Sequence, residues 1–111
     1  MKFIVDRKTW YRGKGPDKSK LLRVDGTRCC IGFVGQQCGV SDDLMLDRPG
    51  VESFHCAPTG LLPLFPAWIY TTDDLMYAYD VNDEPELSEA ERESQLQSIF
   101  AKHGDEIEFV G

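Results

Sequence analysis

The sequence predicts an α+β fold: a small sheet of an N-terminal strand, an Asp-Gly hairpin and a C-terminal strand, packed against two or three helices. Three observations carry that expectation. Residues 2–6 (KFIVD) and 106–110 (EIEFV) are β-branched and aromatic runs, and the second alternates acidic with apolar residues as a half-buried strand does. Asp25-Gly26 lies between apolar runs, where a two-residue hairpin turn needs φ > 0. Ser88-Glu89-Ala90-Glu91 is a capping box that opens an amphipathic helix. With 111 residues, the chain reads as a single domain, 1–111, able to bury one modest core.

Beyond the first strand, residues 13–19 (GKGPDKS) form a loop by composition. Their Gly-Lys-Gly lacks the spacing of a phosphate loop and no helix follows, so that function is set aside. Trp10 and Tyr11 read as a lid on the core rather than a base-stacking platform. From Leu21 the pattern predicts a strand, the Asp-Gly turn, and a return strand to about Cys29. A tightly packed helix follows from about Cys30 to Cys38, closed by Gly39 at C′. Ser41 or Asp42 would cap one further helical turn.

Residues 48–66 hold four of the six prolines, which excludes a regular element. The stretch is nevertheless apolar, through Val51, Phe54, Leu61, Leu62, Leu64 and Phe65, so it either wraps the core or offers contact surface. Residues 67–71 (AWIYT) read as a short strand. A helix then starts at the acids Asp73 and Asp74, runs through Asp80, and is ended by residues 82–85 (NDEP). The last helix buries Leu96, Ile99, Phe100 and His103, with the stem of Arg92 extending the stripe; Gly104 supplies C′.

Charge is distributed unevenly. Residues 1–28 carry net +6, residues 29–72 net −3 and residues 73–111 net −10, for −7 overall. The basic head forms no helical stripe, which argues against direct nucleic-acid binding and for basic and acidic segments facing each other on one fold. No apolar run approaches the roughly 20 residues that span a bilayer. The N-terminus enters a strand without the apolar core of a signal peptide, which places the chain in a reducing cytoplasm.

Several motifs together resemble a group of small uncharacterised proteins encoded by bacteriophages and prophages. They are Trp10-x-Arg12-Gly13, Leu21-Leu22-x-x-Asp25-Gly26-x-x-Cys29-Cys30-x-Gly32-Phe33, Cys38-Gly39-Val40, Val81-Asn82-Asp83, and the tail from Leu87-Ser88 to Phe109-Val110. The resemblance covers both ends of the chain and little of the proline-rich middle. It implies a phage or mobile-element gene expressed in a bacterial cytoplasm, and carries no activity, cofactor or catalytic residue with it.

Three constellations bear on chemistry. A zinc site could draw on Cys29, Cys38, His55 and Cys56, but Cys29/Cys30 and His55/Cys56 are adjacent pairs rather than C-x-x-C knuckles, and buried free thiols are the favoured reading. A cysteine nucleophile would be Cys30, at the positive end of its helix, with His55 as base. The third constellation is acidic: Asp73, Asp74, Asp80, Asp83, Glu84, Glu86 and Glu89, beside the apolar Leu61, Phe65 and Trp68. A large field of one sign steers partners of the other.

The favoured expectation is a cytoplasmic accessory protein without cofactor. It would bind a host protein through that acidic, partly apolar surface, inhibiting a host enzyme where the acids take the place of nucleic-acid phosphates. Two alternatives stay open: the Cys30–His55 enzyme, and a structural or self-associating phage protein.

Overall fold

In the computed structural model, which describes residues 1–15, 19–51 and 64–111, the two ends of the chain form the sheet. Strands β1 (Lys2–Asp6) and β2 (Glu106–Val110) pair in parallel, in a register running from Lys2↔Glu106 to Asp6↔Val110. Both alternate as expected: Phe3, Val5, Ile107 and Phe109 are buried on one face, while Lys2, Ile4, Glu106 and Glu108 face solvent. Because the strands are parallel, the rest of the chain is the connection between them, and it supplies the helices that cover the apolar face.

Among the described residues there are five helices: α1 (Cys30–Gln37), α2 (Asp42–Met45), α3 (Ala67–Thr71), α4 (Asp74–Asp83) and α5 (Glu89–Lys102). The fold is α+β. Helix α5 has both halves of its capping box, with Ser88 Oγ accepting from Glu91 N at 3.1 Å and Glu91 Oε1 accepting from Ser88 N at 3.1 Å. Its C-terminus closes in a Schellman motif: Asp105 N bonds Phe100 O, Gly104 N bonds Ala101 O, and Gly104 takes φ +81°. Helix α1 ends the same way, with Val40 N on Gly35 O, Gly39 N on Gln36 O, and Gly39 at φ +93°. Below the sheet, Phe100 meets Phe3 and Trp68 edge-on at 6.1 and 5.1 Å, and Phe109 lies against Trp10 at 4.7 Å.

Two expectations change. The chain does turn at Asp25-Gly26: Gly26 has φ +89° and donates to Arg23 O, while Asp25 Oδ1 holds Thr27 N and Oγ1 at 2.9 and 2.6 Å. Its arms, however, do not form a hairpin and add nothing to the sheet. Only Arg23 N–Thr27 O and Cys29 N–Lys20 O join them. Leu21, Leu22, Arg28 and Cys29 are all buried, so neither arm has the one-sided pattern of a half-exposed strand. Each takes backbone partners elsewhere, Leu22 bridging to Leu46 and Arg28 to Trp10.

The second change is residues 67–71, a helix rather than a strand. Pro66 precedes it where no intrahelical N–H is missed, and Thr71 and Thr72 return their hydroxyls to the carbonyls of Ala67 and Trp68 at 2.7 Å. Trp68 and Ile69 are buried side by side, which a helix face permits and strand alternation does not. No described helix is long and apolar enough to cross a membrane.

Candidate functional site

The basic head meets the acidic tail. Arg7 forks onto Glu93 with two bonds of 2.8 Å, Arg12 pairs with Glu89, Lys2 with Glu108 at 2.9 Å, and the N-terminal amine with Asp105 at 3.0 Å. These cations are therefore paired with acids of the tail, not gathered as a surface stripe.

The internal pairing separates the acids into two groups. Glu89 is held by Arg12 and by Arg92 Nη1 at 2.5 Å. Asp74 accepts from His103 Nε2 at 2.6 Å and pairs with Lys102 at 3.1 Å, and these two partners hold its carboxyl below the usual range, the histidine contributing most. Asp83 Oδ1 takes Ser19 Oγ at 2.6 Å and Asn82 Nδ2 at 3.0 Å. By contrast, none of the ion pairs among the described residues includes Asp73, Asp80, Asp83, Glu84 or Glu86.

Those unpaired acids surround the outward face of α4, where Met76 and Tyr77 are 55% and 53% exposed. Asp73, Met76, Tyr77, Asp80 and Glu84 recur at helical spacing along that side. A cleft of about 520 Å³ lies on one flank, lined by Ser19, Pro49, Met76, Tyr79, Asp80 and Asp83. On the other flank a groove of about 300 Å³ between α4 and α5 is lined by Asp74, Tyr77, Ser94, Ser98 and Ile99. Asp80, Asp83 and Glu84 sit at the negative end of α4, whose last turn has no basic residue. Carboxylates there oppose the helix dipole, so the arrangement costs folding energy instead of contributing to it.

The apolar half of the expected contact surface is different. Phe65 and Trp68 are 2% and 6% exposed and belong to the core. Trp68 packs on Phe100, stacks on His103 at 4.7 Å and donates Nε1 to Asp105 Oδ2 at 3.0 Å. Large aromatics in a small domain are drawn inside because each buries more apolar area than any other side chain available. Met76 and Tyr77, with Tyr70 at the end of α3, are the exposed apolar residues beside the acids. Leu61 lies outside the described residues.

The cysteines do not assemble a reactive centre among the described residues. Cys29, Cys30 and Cys38 are free thiols, the first two fully buried. Burial pushes Cys29 up to about 11 and Cys30 well above the ordinary thiol range. The helix end acts in the opposite direction on Cys30, but a dipole contributes about 0.3–1 kcal/mol while full burial moves a pKa by up to several units, so desolvation wins. No described group of three or more His, Cys, Asp or Glu is placed to hold a metal ion. His55 and Cys56, the base of the nucleophile reading and two ligands of the zinc reading, lie outside the described residues. In native protein Cys38 should be alkylated well before Cys29 and Cys30, read by peptide mass; rapid labelling of Cys30 would contradict its burial.

Two polar residues organise this region, Asn82, which the sequence reading missed, and Arg92, of which it placed only the stem in the core. Asn82, fully buried, accepts from Trp10 Nε1 at 2.7 Å and Cys30 N at 3.0 Å, and donates to Tyr11 O at 3.0 Å and Ser19 Oγ at 3.2 Å. Arg92 is buried whole, not only by its stem: it donates to the carbonyls of Val81, Glu84 and Leu87, receiving the chain as it leaves α4. A signal for Asn82 existed. It continues the buried stripe of Leu75 and Ala78 at i, i+3, i+7, where a polar residue requires internal partners.

Asp74, Glu91 and Glu93 are all held below the ordinary carboxyl range, by His103, by the Ser88 cap and by Arg7 respectively. The unfolded chain then takes up protons at a higher pH than the folded one. Stability from these groups is present above the ordinary values of 3.8 and 4.5 and is lost as pH falls through the lower folded ones. Urea midpoints should therefore drop below about pH 4.5, and Glu93→Gln should lower the midpoint at neutral pH while flattening that drop. An acid limb unchanged in Glu93→Gln would remove the Arg7 pair from this account.

Compared with protein-family models, with curated proteins and with solved structures, the chain matches none of them.

Proposed function

We propose that this chain is a binding protein that engages a basic protein partner through the outward face of α4 and the turn that follows it. In the phage setting that its sequence resembles, the partner is a host protein, and where that protein binds nucleic acid the carboxylates stand in for phosphates. The observation that carries this reading is the set of acids without internal cations, Asp73, Asp80, Asp83, Glu84 and Glu86, around the exposed Met76 and Tyr77. An apolar centre with a charged rim is the usual anatomy of a protein interface. A cationic partner would also relieve the repulsion at the negative end of α4.

Charge reversal must avoid Glu89, because it holds Arg92. Asp80→Lys with Glu84→Lys should leave the thermal midpoint at or somewhat above wild type, because it relieves the repulsion at the end of α4, and separately Met76→Ser with Tyr77→Ser should leave it near wild type. Each pair should cut association with proteins captured from bacterial lysate by about tenfold or more, and the wild-type complexes should dissociate as salt rises. Capture unchanged in both variants would sink the reading.

A further inference from the structure

Parallel strands bond through alternate residues. Glu106 N donates to Met1 O at 2.8 Å and Arg7 N to Val110 O at 2.8 Å. With the register from Lys2↔Glu106 to Asp6↔Val110, this turns the backbone groups of Glu106, Glu108 and Val110 toward β1. Ile107 and Phe109 direct theirs away, along the outer edge of β2. The opposite edge of the sheet belongs to Lys2, Ile4 and Asp6, and it is closed at its centre. Gln37, the last residue of α1, accepts from Ile4 N at 2.8 Å and donates to Ile4 O at 2.6 Å, supplying the pair of bonds a third strand would make.

The β2 edge has no comparable plug. Gln97 Nε2 reaches Ile107 O at 3.5 Å, the limit for such a bond. No other hydrogen bond among the described residues involves the outward groups of Ile107 and Phe109. Beside this edge a groove of about 270 Å³ separates α5 from β2, lined by Gln97, Ala101, Asp105, Glu106 and Ile107.

We infer that the outer edge of β2 is a strand-addition site for an extended segment of a partner protein in which basic and small apolar residues alternate. An added strand continues both faces of the sheet. On the solvent face its side chains stand next to Glu106 and Glu108, where opposite charges across neighbouring strands attract. Lys2 already occupies the equivalent place on the other side, 2.9 Å from Glu108. On the inner face its side chains enter the groove beside Ala101, which admits small apolar groups. A second copy fits poorly: full-length antiparallel pairing of two β2 strands sets Glu108 directly opposite itself. This site is separate from the α4 face and does not depend on the function proposed for it.

The test uses amide hydrogen exchange by NMR on the whole chain, with a short capped peptide alternating lysine and valine as probe. In dilute free protein, Glu108 and Val110 amides should be protected and those of Ile107 and Phe109 should exchange fast. Peptide should slow Ile107 and Phe109 by about tenfold or more. N-methylating the peptide residues that face β2 should abolish this, whereas methylating the alternate set should not. Glu106→Gln with Glu108→Gln, both exposed, should weaken binding by about tenfold or more while lowering the thermal midpoint only slightly, through loss of the exposed Lys2–Glu108 pair.

The inference is overturned by any of five results. These are no slowing at millimolar peptide, equal binding of a glutamate–valine peptide, indifference to both methylation patterns, Ile107 and Phe109 protected already in dilute protein, and protection that rises with protein concentration alone. The last would make a second copy the occupant. Loss of lysate capture in the α4 variants with intact peptide binding here, or the reverse, tells the two surfaces apart.

Discussion

Asn82→Ala should destabilise the protein by roughly 3–9 kcal/mol, a large part of the about 5–15 kcal/mol that holds a domain together. Alanine leaves the Trp10 indole N–H, the Cys30 N–H and the Tyr11 carbonyl without the partner they share. Each buried orphan costs about 1–3 kcal/mol. Ser19 and Asp83 are affected less, because Ser19 Oγ already bonds Asp83 Oδ1 at 2.6 Å. Asn82→Asp is the informative companion. It keeps the oxygen that serves Trp10 and Cys30 but turns a second carboxylate oxygen toward Asp83 and the Tyr11 carbonyl, so it should rescue little. Urea unfolding decides the matter: a loss under about 1 kcal/mol in Asn82→Ala would mean that water replaces the side chain and the network does not join the N-terminal loop to α1 and α4.

Gly32→Ala should cost more than about 3 kcal/mol, against the gain of about 1 kcal/mol that alanine normally brings to a helix. A Cβ on Gly32 would stand 2.0 Å from the Leu21 carbonyl oxygen, and backbone cannot swing aside as a side chain can. The chain leading into the Asp25-Gly26 turn would have to separate from α1, taking the buried Leu21 and Cys29 with it. Gly35 provides the contrast. There a Cβ meets Met45 Sδ at 2.8 Å and the Phe65 ring at 3.0 Å, both on side chains that can repack. Gly35→Ala should therefore be milder by about 2 kcal/mol or more, and equal denaturation midpoints for the two variants would refute the close approach at Gly32.

Together these substitutions explain a helix that looked unexplained by chemistry. The run Cys30-Ile31-Gly32-Phe33-Val34-Gly35 is buried throughout, and its small residues let two other chain segments pass close to α1. The cysteines in and before it serve as small apolar groups whose ionisation burial opposes.

Local signals were legible wherever the physics acting on a residue came from its own neighbours in the chain. Ser88 and Glu91 satisfy each other within one turn, Gly39 and Gly104 adopt φ > 0 at helix ends, and Lys2–Asp6 and Glu106–Val110 alternate because one face meets the core. The acids of α4 were equally visible as a run without cations. What the run could not reveal was which carboxylates find partners far along the chain: Glu89 with Arg12 and Asp74 with His103 do, Asp80 and Glu84 do not.

The remaining features were decided by tertiary structure. The two strands lie about a hundred residues apart, so neither their parallel sense nor the closure of one edge by Gln37 is encoded in any local window. Residues 67–71 carry strand-forming side chains, yet burying both Trp68, against Phe100, and the adjacent Ile69 favours a helix, since burial outweighs intrinsic propensity. The same burial removed Phe65 and Trp68 from the surface and left Met76 and Tyr77 there. Composition determined that this chain would carry an acidic, partly apolar region; competition for a single small core decided which apolar residues remained outside to form it.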